Sequence, residues 1–266
     1  NPPPARRRRG DRPYIGDMTD IWARLQSRKR SAPGLPLVTF VDAARKERVE
    51  LSATSVENAA AKIANALRDE YELEPGAIVA VHLPVHWQRS AWSAGVWTAG
   101  CLLVTGDDSL DATADLHVTS AYGAGALAER GIDRIAVVSL HPFGLPVSDP
   151  LPSPAHDATL LVRLQPDAYL YEPPSGSLPA WQHDGRDVLT QVEVLHVAEQ
   201  RGQLWGAAEG GRLLAGSGID DADAWLAALP VPLATGCSVV LACGDYDATD
   251  VERAEGGGHA VVAGVG

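Results

Sequence analysis

Residues 75–105 read PGAIVAVHLPVHWQRSAWSAGVWTAGCLLVT. Pro75-Gly76 turns the chain, and Ala77–Leu83 is a near-continuous apolar run of strand length. Such a run suits a strand buried on both faces. Trp87–Ala99 has the length and composition of a buried helix, Gly100 breaks it, and Cys101–Thr105 is a second apolar strand. Strand, helix, strand in this order predicts a parallel pair covered by a crossover helix. The longest uncharged run, Ser90–Gly106, is short for a bilayer span and holds Gly95 and Gly100. A buried helix followed by a strand accounts for it without a membrane.

The same grammar extends in both directions. Leu37–Val41 and Arg48–Leu51 predict a β-hairpin turning over Asp42–Glu47. Thr54-Ser-Val-Glu57 reads as a capping box at the start of a helix carrying Val56, Ala60, Ile63, Ala64 and Leu67 on one face. Thr190-Gln-Val-Glu193 reads as a second box, with Val192, Leu195 and Ala198 on its helix. Leu213–Ala215 predicts a strand, Asp221 a helix cap, and Gly236-Cys237 opens a strand as Gly100-Cys101 does. The boxes and these glycine–cysteine pairs recur at a constant offset, with Gly211 answering Gly76 within one residue. The fold class expected is α/β: two similar βαβ subdomains with largely parallel sheets. The expected division is a Pro/Arg-rich disordered tail over 1–17, a first subdomain over 18–165 and a second over 166–266. Leu116–Thr119 and Arg134–Ser139 predict further strands, Pro-rich His141–Pro154 a loop, and His259-Ala-Val-Val262 the start of a last strand.

The chain has 266 residues, 45% of them hydrophobic and 21% charged, with a net charge of −12. Such a composition suits a globular body. The tail holds five of the arginines, so the body is more acidic still, which argues against nucleic acid and anionic membrane as partners. Arginine far outnumbers lysine, which occurs only at 29, 46 and 62. With abundant Ala and Gly this suggests a GC-rich, actinobacterial genome. Three cysteines, Cys101, Cys237 and Cys243, read as reduced core residues of a cytoplasmic protein. A secretory leader is not expected.

Candidate chemistry is sparse. Gly123-Ala-Gly-Ala-Leu-Ala128 follows a strand and loosely matches a dinucleotide fingerprint, but lacks an acidic residue about 20 positions on, so a glycine-permissive helix start is the better reading. His82 and His86 flank Pro84 and should not share a helix face as metal ligands would; no metal is expected. His141 follows a strand end, a common place for catalytic groups. In Tyr169–Trp181, YLYEPPSGSLPAW, an apolar strand is expected to run into a loop with Ser175, Gly176 and Ser177. A phosphate loop needs converging N–H groups and a cation. Here Gly176 is the only glycine between Pro174 and Pro179, and neither Lys nor Arg occurs from Tyr169 to Gly185.

Thr54-Ser-Val-Glu-Asn58, Glu74-Pro-Gly76, Val79-Ala-Val-His-Leu-Pro84, Trp97-Thr-Ala-Gly-Cys-Leu-Leu-Val104 and Pro232-Leu-Ala-Thr-Gly-Cys-Ser-Val-Val-Leu241 together resemble the opening of acyl-adenylate-forming enzymes. That superfamily comprises AMP-dependent acyl-CoA synthetases, luciferases and peptide-synthetase adenylation domains. The likeness covers roughly residues 36–245. It implies a two-subdomain ligase-type fold, ATP or AMP as a possible ligand, and Ser175-Gly-Ser-Leu-Pro179 in the place of the TSGTTGxPK phosphate loop. This loop lacks the family's second glycine and lysine. No His stands near Gly218–Asp223, where an aromatic–His segment belongs, and the later family motifs are expected beyond residue 266. The expected function is a catalytically degenerate ligase-like protein acting by binding or assembly with a protein partner or a second copy. A nucleotide- or acyl-CoA-binding module and an AMP-forming acyl ligase are the alternatives. Catalytic residues are not expected; Ser175, Gly176, Ser177 and His141 are the residues to test.

Overall fold

The computed structural model describes residues 20–107, 113–216, 218–255 and 259–261. The tail over 1–17 lies outside them. In chain order the elements are α1 (Ile21–Ser31), β1 (Pro36–Asp42), β2 (Glu47–Ser52), α2 (Ala53–Asp69), β3 (Ile78–His82), α3 (Trp87–Thr98), β4 (Leu102–Thr105), β5 (Leu116–Ser120), α4 (Ala121–Glu129), β6 (Ile135–Val138), β7 (His156–Asp157) and α5 (Ala158–Arg163). They continue with β8 (Pro179–His183), β9 (Leu189–Thr190), α6 (Gln191–Leu204), β10 (Arg212–Ala215), α7 (Asp221–Ala228), α8 (Pro230–Thr235), β11 (Ser238–Cys243), α9 (Ala248–Glu255) and β12 (His259–Val261).

Two sheets result. One has seven strands in the order β7-β6-β5-β3-β4-β8-β9, and the other five in the order β12-β10-β11-β1-β2. All neighbours run parallel except β1/β2 and β8/β9. Helices α2 and α3 lie between the sheets, and one core joins Phe40 and Val38 to Val56, Ile63, Val79, Val81, Trp92 and Leu103. The α/β fold with largely parallel sheets is as the sequence implies. The sheets nevertheless interleave along the chain. The hairpin of residues 36–52 joins strands from 212–261, and strands 179–190 join those of 78–157. Neither sheet follows a cut at residue 165.

The internal repeat has a physical basis. In the seven-stranded sheet, α2 leads to β3, α3 and β4; in the five-stranded sheet, α6 leads to β10, α7, α8 and β11. In each unit a glycine at positive φ before the first strand donates its N–H to a glycine carbonyl before the second. Gly76 bonds Gly100 at 2.8 Å, and Gly210 bonds Gly236 at 3.1 Å. All four adopt φ of +73 to +93°, which side chains with a Cβ rarely tolerate. Gly210, not Gly211, is therefore the counterpart of Gly76.

Four local expectations need correction. The cap of α2 is Ser52, whose hydroxyl accepts from Ser55 N at 3.1 Å. Thr54 instead donates to the Pro33 carbonyl, and the Glu57 carboxylate is drawn to Lys29 (2.7 Å) and Gln26 (2.8 Å) of α1. A tertiary ion pair thus outcompetes the local box. At Thr190–Glu193 both reciprocal bonds are present. On that helix Val194, with Leu195 and Ala198, faces the core, while Val192 is exposed. The cap of α7 is Asp220, because Asp221 spends its carboxylate on Arg89 (2.8 Å) and Trp225 Nε1 (3.2 Å). Tyr169–Glu172 is irregular and not a strand. Buried Asn65 of α2 donates to the Ala168 carbonyl at 2.9 Å and accepts from Leu170 N at 3.2 Å, taking backbone groups that a neighbouring strand would have used.

Candidate functional site

The seven-stranded sheet changes direction at β3. From β3 the chain crosses through α3 to β4 on one side; from β5 it crosses through α4 to β6 on the other. The helices lie on opposite faces. α3 belongs to the core between the sheets, whereas α4 packs Ala124 and Leu127 on Ile135 and Val137 of the outer face. The carboxyl ends of β3 and β5 are therefore splayed by departing chains, the place where open α/β sheets bind ligands. A crevice of about 690 Å³ opens there. The carboxyl ends of β1 and β11 close it through Asp42 and Cys243, so both sheets contribute.

Its walls are mainly apolar, including Phe40, Leu83, Tyr122, Leu127 and Leu140. Its polar groups sit at strand ends and helix starts. His82, the last residue of β3, meets His117 of β5 with Nε2 to Nδ1 at 3.1 Å and nearly parallel rings. Burial, with the neighbouring His117, pulls the His82 imidazole down to about 4; burial also lowers His117. His86 caps α3, its Nδ1 accepting from Gln88 N at 3.2 Å, and its ring packs on Phe40 with centroids 4.4 Å apart. Burial lowers it to about 4, against the partial opposition of its bond to the Leu140 carbonyl. These imidazoles are neutral at pH 7 and act as uncharged hydrogen-bonding groups. The loop after β3 is held by buried Arg89, which donates to the carbonyls of Leu83 (2.8 Å) and Pro84 (3.0 Å), pairs with Asp221 and lies over the Trp225 ring.

At β5 the chain enters α4 through Ser120, which occupies the N-cap but makes no side-chain cap bond. Gly123 and Gly125 lie inside α4, not in a loop before it, as the helix-start reading requires. A Cβ on Gly123 would sit 2.3 Å from Thr119 Oγ1, so glycine lets the strand end press against the first helical turn. Arg45, in the β1–β2 turn, reaches the crevice and keeps its guanidinium 3.5 Å from Asp42. A smaller cavity of about 310 Å³ adjoins and shares Arg45, Ser120, Tyr122 and Leu140.

His141 lines that smaller cavity at the end of β6, exposed, with Nδ1 accepting from Phe143 N at 3.1 Å. Ser175, Gly176 and Ser177 lie at the other edge of the sheet. Pro174 packs against Gly100, ahead of β4, and the loop enters the amino end of β8. The structure does not bring His141 and the serines together. The Ser175 and Ser177 hydroxyls pair at 3.0 Å, and the carbonyl of buried Gly176 accepts from Val192 N at 3.2 Å. Arg68 lies over the Tyr171 ring but pairs with Glu74 at 3.0 Å.

Sequence reading missed Arg45, Ser120 and Tyr122 as crevice residues, and His117 as the partner of His82. The available signal was positional, since His117 and Ser120 belong to the strand beside β3 and only the strand order unites them. It also missed a hydroxyl–imidazole–carboxylate chain, in which Thr105 Oγ1 meets His183 Nδ1 at 3.0 Å and His183 Nε2 meets Asp184 at 3.1 Å. Thr105 is fully buried and already accepts from Trp181 Nε1, so this chain ties β4 to β8 and presents no nucleophile. The thiols of Cys101 and Cys243 are raised to about 12 and 11, chiefly by burial, and stay protonated. Among the described residues there is no cluster of three metal-ligating side chains, and no helix is long and apolar enough to cross a membrane.

An acyl-CoA synthetase from Brucella canis superposes on 91% of this chain with a TM-score of 0.72 at 19% identity. The fold is that of the N-terminal region of adenylate-forming ligases. An acetoacetyl-CoA synthetase from Streptomyces lividans gives a TM-score of 0.69 over 88% of the chain at 17% identity. In sequence, a Mycobacterium tuberculosis protein whose name states a family and no activity is 39% identical over 152 residues, 54% of this chain. No family model matches the chain. The chain spans 59% of the mycobacterial protein, and 46% and 40% of the two synthetases. At these structural identities the likeness to the ligases is one of fold.

Proposed function

We propose that this ligase-like chain acts by binding, to a small ligand or to a protein partner, and does not activate a carboxylate through its 172–178 loop. The bonding inside that loop carries the reading. Pyrophosphate departure from ATP develops negative charge, which preorganised donors and cations stabilise. Here the two serine hydroxyls bond each other, Pro174 and Pro179 lack N–H groups, and the nearby Arg68 is engaged by Glu74. Lys29 and Lys62 are likewise engaged, by Glu57 and Asp167. The large crevice at the opposite strand ends supports a ligand. The exposed rings of Tyr122 (99%) and Phe143 (85%) beside it support a partner or a second copy. The acidic body speaks against nucleic acid.

The test pairs ATP–pyrophosphate exchange over a panel of carboxylates with thermal shift in ATP, AMP and acyl-CoA, and with light scattering. Exchange above background overturns the reading in favour of an AMP-forming ligase. A thermal shift without exchange identifies a nucleotide- or acyl-CoA-binding module. A concentration-dependent mass without either supports assembly.

A further inference from the structure

We propose that the crevice at the β3/β5 switch point binds a small molecule with one oxyanion on an apolar body, the oxyanion seated on the amino end of α4 beside Ser120. This deepens the binding reading by naming a ligand class, and rests on it only in that the chain takes a ligand.

Three observations converge. The first turn of a helix has N–H groups without intrahelical acceptors, and the helix dipole makes that end positive. A cap side chain ordinarily takes one of them, but Ser120 takes none. Second, Ser120 is only 8% exposed as a residue and lines both cavities, and its hydroxyl, which makes no cap bond, is not among the fully enclosed unpartnered atoms and so opens to that space. A hydroxyl on an otherwise buried residue that opens only to a cavity is free to donate to what enters it. An oxyanion would accept from it and from the α4 amides together. Third, the surrounding charges allow an anion. Arg45 is at the mouth, and Asp42, the acidic group in the main crevice, already accepts from Arg45 N at 2.9 Å and faces its guanidinium. Glu47 and Asp149 line only the adjoining cavity. The histidines are neutral and contribute no charge of either sign.

The rest of the crevice sets the body of the ligand. Phe40, Leu83, Val85, Leu127 and Leu140 offer apolar surface, and about 690 Å³ lies within the usual range for small-molecule sites. A carboxylate and a phosphate monoester share the required chemistry.

The probes are octanoate, octyl phosphate and octanol, titrated into the full chain by calorimetry. At least one anion should bind saturably, and octanol at least about tenfold more weakly, the value of a charged hydrogen-bonding set. The ratio of the two anions separates carboxylate from phosphate as the head group. Ser120→Asp supplies its own carboxylate to the α4 amides. It should preserve the circular dichroism spectrum, hold or raise Tm, and weaken anion binding at least about tenfold. Tyr122→Glu puts a charge at the same helix end from an exposed position and should act alike if Ser120→Asp fails to fold. Equal binding of octanol, no saturable binding of either anion, or unchanged affinity in a folded variant would overturn the proposal. Pyrophosphate exchange with anion binding intact would sink only the non-catalytic reading.

Discussion

Acidification from pH 7 to pH 5 should weaken this fold by about 4 kcal/mol through two histidines. His82 and His86 titrate at about 4 in the folded chain and near 6.5 when unfolded. Below 6.5 the unfolded chain takes up protons that the fold refuses, so stability is intact above that pH and falls until about 4. Linkage gives about 2 kcal/mol for each imidazole between pH 7 and pH 5, hence about 4 kcal/mol for both. His117, lowered by the same burial, pushes in the same direction. Glu193 and Glu255, held below their ordinary value chiefly by bonds to Thr190 and Arg48, lose their contributions only in more acid solution. A domain of this size shifts by about 2–4 °C per kcal/mol, so Tm should fall by about 8–16 °C. Calorimetric melts at pH 7, 6 and 5 measure the slope directly. His86→Asn keeps an oxygen that can cap α3, and His82→Gln keeps a polar side chain at the strand end; each should remove roughly half the slope. A flat Tm, or an unchanged slope in the double variant, would refute the burial of these rings as neutral groups.

Four stability predictions concern packing, a buried amide and caps. Gly95→Ala places a Cβ 2.4 Å from Ile63 Cγ2 and 2.5 Å from its Cβ, so α2 and α3 must separate. Urea unfolding should show a loss of about 1–3 kcal/mol despite a helix-propensity gain of about 1 kcal/mol, and net stabilisation would contradict the close approach. Gln191, buried, accepts from Ile21 N at 2.9 Å and donates to the Trp97 carbonyl at 3.0 Å. Gln191→Ala strands both partners and should cost about 2–4 kcal/mol by chemical denaturation. Thr190→Ala breaks an intact capping box and should cost about 1 kcal/mol. Thr54→Val removes no cap and only the bond to the Pro33 carbonyl, and should cost less, about 0.5 kcal/mol, in the same assay.

Local periodicity made much of the fold legible. Apolar runs such as Val79–Val81 and Ile135–Val138 are buried on both faces and look so in sequence. Gly76, Gly100 and Gly236 punctuate because their φ values exclude most side chains. Competition over long separations was illegible. Glu57 looked like a capping partner until Lys29 claimed it, and Tyr169–Tyr171 looked like a strand until Asn65 took its backbone bonds. Membership of one sheet or the other depends on edges that the two-residue period does not encode. The crevice was hidden for the same reason. Ser120 and His86 are unremarkable polar residues until the strand order sets the ends of β3 and β5 side by side.

The interleaving of the sheets bears on how the chain comes off a ribosome. Val38 of β1 pairs with Val239 of β11. At a synthesis rate of about 5–20 residues per second, the hairpin waits roughly 10–40 s for that partner to emerge. During the wait its β1 edge, with Val38 and Phe40, has only β2 beside it, and a lone hairpin is marginal in water. The β3–β6 segment, by contrast, makes its β4/β3, β3/β5 and β5/β6 pairs within 61 consecutive residues, 78–138, and can assemble first. Assembly is therefore expected to run from the middle outward, with the first strand among the last to find its second neighbour, β11.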